Sequence, residues 1–98
     1  MVDFLDKNHK VYSDSVFTAG ESPRILDVVT DLGRNAGGGE IANLGGGDLL
    51  VEIETDEGNF GDQFPVVARE IFNLDKLLVI RRIRLTHVSD TSYRITVS

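Results

Sequence analysis

The sequence predicts an all-β fold: an antiparallel β-sandwich or small barrel, jelly-roll-like or Ig-like, of about 7–8 short strands with at most one helical turn. Three observations predict it. Apolar residues alternate with a period of two in several short runs. Turn-forming residues separate these runs at intervals of about 8–12 residues. No long segment carries a 3.6-residue period, which argues against a parallel α/β arrangement.

Taken in order, Val11 to Thr18 and Arg24 to Val28 are the first strand candidates. Thr30 to Ala36 reads as a helical turn with Thr30 or Asp31 capping its start and Gly33 weakening it. Gly39 to Leu44 is a short strand framed by the runs Gly37-Gly38-Gly39 and Gly45-Gly46-Gly47, read as flexible turns. In Leu49 to Glu54 the set Leu49, Val51, Ile53 faces one way and Glu52, Glu54 the other. Thr55 to Asn59 is turn chemistry, since Gly58 tolerates a positive φ and Asp56 can bond its own backbone. Gln63 to Val67 is a strand in which Pro65 lacks a backbone donor, so it belongs at an edge or a bulge. Glu70 to Leu74 is a short apolar run, broken by Asn73 to Lys76. Leu77 to Val88 is the longest strand candidate, and after a turn at Asp90-Thr91-Ser92 the alternation of Tyr93, Ile95 and Val97 closes the sheet.

The 98 residues form a single domain, with 1–20 an N-terminal arm and first strand and 21–98 the sandwich. Hydrophobic residues at 41% and charged residues at 27% are those of a folded chain. With no cysteine there is no disulfide, thiolate nucleophile or Cys-based zinc site. A formal charge of −6 disfavours nucleic-acid binding, which depends on neutralising phosphates. The longest apolar run, Leu77 to Ile80, is far too short to span a bilayer, so no membrane association is expected.

Several constellations invite chemistry. Gly37-Gly38-Gly39-Glu40-Ile41-Ala42 fits a G-x-G-x-x-A pattern, but a strand-like segment follows where a phosphate-binding helix is required. Asp56, Glu57, Asn59 and Asp62 gather oxygen donors that a hard cation would accept, yet their spacing departs from the EF-hand and an exposed hairpin tip accounts for them. Glu52 and Glu54 read as a solvent-facing row rather than an acid–base pair. His9 and His87 lie far apart, with neither metal-ligand spacing nor a nucleophile beside them. Arg81, Arg82 and Arg84 suit phosphates, but also suit Glu52, Glu54 or the acids of a partner. Neither catalytic nor cofactor- or metal-binding residues are expected.

Leu77-Leu78-Val79-Ile80 is apolar on both faces. Either both faces are buried within the domain or the outer one meets another chain. Phe4-Leu5, an apolar pair in a polar arm, poses the same question. The expected subunit or partner interface is therefore Phe4, Leu5, Leu78 and Ile80, with Arg82 and Arg84 as polar partners.

The order Asp31 to Ala36, then Gly47 to Ile53, then Asp56 to Asp62 resembles small virion proteins of tailed phages. The segment Leu74-Asp75-Lys76-Leu77 and the closing Ser92-Tyr93-Arg94 extend the similarity, which spans Pro23 to Ser98. The N-terminal stretch lies outside it, and the glycine runs are richer than the pattern needs. The resemblance implies a non-enzymatic capsid decoration or cement protein, made in the host cytoplasm and carried on the virion. It also implies a homo-oligomer, such as a trimer, seated on the major capsid protein or other virion proteins. The alternatives are a tail or baseplate accessory protein and a carbohydrate-binding β-sandwich, the latter short of aromatic platforms with no tryptophan and only Tyr12 and Tyr93 beside five phenylalanines.

Overall fold

Alternating burial along nearly every predicted strand is realised as two antiparallel sheets packed face to face. The computed structural model describes residues 9–75 and 79–98, so Phe4, Leu5 and Leu78 lie outside the described residues. Among the described residues the strands are β1 (Lys10–Phe17), β2 (Arg24–Asp27), β3 (Gly39–Asn43), β4 (Leu49–Asp56), β5 (Asn59–Phe60), β6 (Phe64–Val66), β7 (Ile71–Asn73), β8 (Arg82–His87) and β9 (Thr91–Val97). One helix, α1 (Val28–Leu32), and a 3₁₀ turn at Ala19–Glu21 complete the order. The first sheet runs β1-β9-β3-β7; the second runs β2-β8-β4, with β5 and β6 sharing the far edge of β4.

The core lies between the sheets. Leu49 and Val51 of β4, Ile83 and Leu85 of β8, and Ile95 and Val97 of β9 are fully buried, as is Phe17 at the end of β1. Phe17 meets the ring of Tyr93 edge-on at 5.8 Å. Pro65 sits where its missing N–H does least harm, in a short strand that pairs only with β4. The hairpin tip turns through Gly58, whose φ is 83°.

The helical turn differs from expectation. It starts two residues before Thr30, and its cap is Asp27, whose carboxylate accepts the Thr30 N–H at 3.2 Å. Gly33 is not an interior flaw but the left-handed stop, with φ 79°. The glycine runs also differ, being tightly packed in places rather than simply flexible. A Cβ on Gly39, whose φ is 148°, would fall 2.0 Å from the Thr96 carbonyl oxygen, and one on Gly45 would fall 2.3 Å from the Thr91 hydroxyl.

The Leu77–Val88 segment is not one continuous strand. Ile80 is fully buried and forms an isolated antiparallel bridge with Ala36, while β8 begins at Arg82. Between them the backbone of Arg81 donates to the Glu54 carbonyl at 2.8 Å and accepts from Val29 at 3.1 Å. The in–out phase therefore slips by one residue, so Ile80, Ile83 and Leu85 all point inward although their spacing is not even. This corrects the interface assignment of Ile80: its side chain is core and has no face to offer another chain.

Candidate functional site

Three surfaces concentrate the remaining chemistry. The first is the outer face of the second sheet. Antiparallel register sets Glu52 opposite Arg84 and Glu54 opposite Arg82, which puts each pair side by side on one face. Both contacts are two-pronged. Arg84 Nε and Nη2 donate to Glu52 at 2.9 and 2.8 Å; Arg82 Nε and Nη2 donate to Glu54 at 2.9 and 2.5 Å. The Phe60 ring lies beneath both guanidinium groups, 4.3 Å from Arg84 and 5.4 Å from Arg82.

Glu54 is not the solvent-facing carboxylate that alternation suggests. It is 1% exposed, covered by Arg82 and by the hairpin whose Gly58 N–H donates to it at 2.8 Å. Arg81 Nε approaches it at 3.7 Å, and the Arg81 Nη1 donates to Asn35 at 3.1 Å. The Arg82 hydrogen bonds, aided by Gly58 and the positive field of both arginines, pull the Glu54 carboxyl down to about 2 against burial. Glu52 is lowered by Arg84 in the same way. Both carboxylates are thereby committed to their arginines. The adjoining cavity, about 320 Å³, is walled by Asp27, Thr30, Glu57 and by Glu54 with Arg81 and Arg82. The structure shows one of the sequence alternatives for the arginines, pairing of Arg84 with Glu52 and of Arg82 with Glu54.

The second surface is the outer face of the four-stranded sheet. Cross-strand register forms the rows Val11–Thr96–Glu40–Asn73 and Ser13–Arg94–Ala42–Ile71, with Leu44 beside Ser92 in the next row. Val11, Leu44 and Ile71 are 44%, 52% and 64% exposed, set among the small side chains of Ser13, Ala42 and Ser92 and the longer ones of Glu40 and Arg94. Arg94 is exposed and has no hydrogen-bond or ion-pair partner among the described residues. A shallow cleft of about 460 Å³ runs between Ser13, Ser15, Leu44, Ser92 and Arg94.

The third surface flanks β1. Arg24 donates to Asp14 at 2.6 Å and to the Tyr93 hydroxyl at 2.7 Å, and also binds Glu21. The Tyr12 hydroxyl donates to Asp31 at 2.5 Å, and its ionisation is pushed up first by burial and then by that acceptor.

Elsewhere, Asn43 is a buried polar residue that sequence reading missed. It donates to the Gly47 and Val66 carbonyls, both at 2.8 Å, and accepts from the Thr91 hydroxyl at 2.6 Å. Alternation from Ile41 did place Asn43 on the inner face, so the signal was there. His87 contacts Asp90 at 2.7 Å across the bend between β8 and β9. In the acidic hairpin Asn59 reaches Asp56 at 3.4 Å, and among the described residues no group of three or more His, Asp or Glu is arranged to hold a metal ion.

No protein-family model matches the chain, and no curated protein matches it. Among solved structures it is similar to the crystal structure of PirA, at 13% identity over 92% of this chain and 83% of that one, with a TM-score of 0.45. The class defined by the two sheets themselves is an all-β sandwich.

Proposed function

We propose that the chain is a non-enzymatic structural protein of a virus particle, a capsid decoration or cement component, with a tail or baseplate accessory as the near variant. The observation that carries the assembly part of this reading is the outer face of the four-stranded sheet, where Val11, Leu44 and Ile71 stand exposed around Arg94, which has no partner among the described residues. Small neighbours such as Ser13, Ala42 and Ser92 leave that face low enough for a second surface to approach closely. The ion pairs of the opposite face support the same reading, because their carboxylates are committed to arginines rather than poised for chemistry. The choice of a virion as the assembly rests on the sequence resemblance over Pro23 to Ser98. A sugar-binding role draws no support from the tyrosines, since Tyr93 is buried and Tyr12 is engaged by Asp31.

Co-sedimentation with particles from the source tests the proposal. The wild-type chain is expected to pellet with particles, while Ile71→Asp combined with Leu44→Asp stays folded and remains in the supernatant. A folded double variant that pellets as well as wild type would overturn the role of this face, and a wild type that pellets with nothing would overturn the proposal itself.

A further inference from the structure

β1 is an outer strand of its sheet. It pairs with β9 along one side, and among the described residues no other backbone group bonds to Lys10–Phe17. An open cleft of about 350 Å³ follows it, walled by Lys10 to Ser13 on one side and by Leu26 and Asp31 on the other. Such an edge is a template for a further strand, and natural sheets block it with bulges, charges or cover. Here the irregularity is confined to the stretch between Asp14 and Phe17, where the Val16 N–H turns to the Asp14 carboxylate at 3.2 Å. The preceding residues, Lys10 to Asp14, pair regularly.

The charges along those five residues are arranged so that the strand complements itself. At one end, Asp14 and Glu21 share the single guanidinium of Arg24, which leaves that cluster with one surplus negative charge. At the other end, the Lys10 ammonium sits 5.5 Å from the Tyr12 ring centroid and has no carboxylate partner among the described residues. Lys10 and Asp14 share the parity of Tyr12 and so lie on one side of the strand.

We propose that two copies of the chain pair antiparallel along Lys10–Asp14 about a two-fold axis between their Tyr12 residues, joining their four-stranded sheets into one continuous sheet. The rotation places each Lys10 ammonium opposite the partner's acidic cluster, twice over, and sets Val11 beside the partner's Ser13 on the outer face. It also gives partners to outward backbone groups of Lys10–Asp14 that bond to no other described residue. Slipping the register by one residue would put each strand's inner side chains on the outer face, and among the registers that keep the faces matched, this one sets Lys10 opposite the partner's Asp14. The inference rests on the reading of the chain as an assembling structural protein, and gives that assembly a strand, an axis and a register.

The absence of cysteine makes the register directly measurable. Opposed residues in an antiparallel pair have Cα atoms about 4.5–5.5 Å apart, within disulfide reach, whereas same-numbered residues beside the axis lie farther off. Mild oxidation of a mixture of Val11→Cys and Ser13→Cys full-length chains is therefore expected to give a disulfide-linked dimer, and either variant alone little. Light scattering of the wild type should report a dimer, and Lys10→Glu, which sets like charges opposite one another at both ends, should weaken it about tenfold. A monomeric wild type, equal cross-linking by the single variants, or a Lys10→Glu chain that dimerises as well as wild type would each overturn the proposal. So would protection, in a monomer, of those Lys10–Asp14 amides that point away from β9, which would mean that the chain's own N-terminal residues cover the edge. Particle co-sedimentation is read separately: a monomer that still binds particles defeats the two-fold alone, and a dimer that binds none defeats the virion reading alone.

Discussion

Arg82 grips Glu54 with two parallel hydrogen bonds, although one residue is a third exposed and the other almost wholly buried. The buried partner governs the response to acid. Because the folded-state value of Glu54 lies at about 2 against an ordinary 4.5, its contribution to stability is complete above about 4.5 and is lost as pH falls toward 2. Melting temperature should therefore fall across that window, and Glu54→Gln should lower it at pH 7 while flattening its slope below pH 4.5. A slope unchanged in the variant would show that other carboxylates govern acid unfolding.

The two ion pairs of this face are not equal. Glu52 retains solvent contact and Glu54 does not, so desolvation strengthens only one of the two couplings. Urea titrations of double-mutant cycles, with Gln replacing each member, should give a larger coupling energy for Glu54–Arg82 than for Glu52–Arg84.

Within the glycine runs, neighbours should behave oppositely. Gly39→Ala forces a methyl group into the Thr96 carbonyl at a φ that alanine resists, and should cost roughly 1–3 kcal/mol. Gly46→Ala meets nothing within 4 Å and should be near neutral. Chemical denaturation of the two variants checks the contrast.

Asn43→Leu would strip partners from the Gly47 and Val66 carbonyls and the Thr91 hydroxyl in the interior. A loss of roughly 2–3 kcal/mol is expected, since buried polar groups left unpaired retain their full desolvation cost. Faster amide exchange along the loop from Leu44 to Asp48 should accompany it.

Ile80 and Ile71 provide the last contrast. Ile80→Ala opens the core and should cost about 2–5 kcal/mol, whereas Ile71→Ala, on the outer face, should stay within about 0.5 kcal/mol. Thermal melts of the two single variants distinguish a buried isoleucine from an available one.

Much of the sandwich was legible because a two-residue period is a local property. The runs Leu49-Val51-Ile53 and Tyr93-Ile95-Val97 each declare one buried face, and Gly58 and Pro65 declare a turn and an edge. The composition also left glutamates and arginines as natural partners on one sheet. What escaped were properties set by residues distant in the chain. Ile80 became core because Ala36 supplies a bridge that shifts the strand's phase, Glu54 became buried because a hairpin and Arg82 close over it, and Gly39 became obligatory because β9 passes within contact distance. The sequence by itself determined that alternating strands would fold into an antiparallel sandwich, since each strand carries its own apolar side. Only the tertiary structure decided which carboxylate is locked, which isoleucine is exposed and which strand lies outermost among the described residues, because burial at those positions depends on which strand arrives next to it.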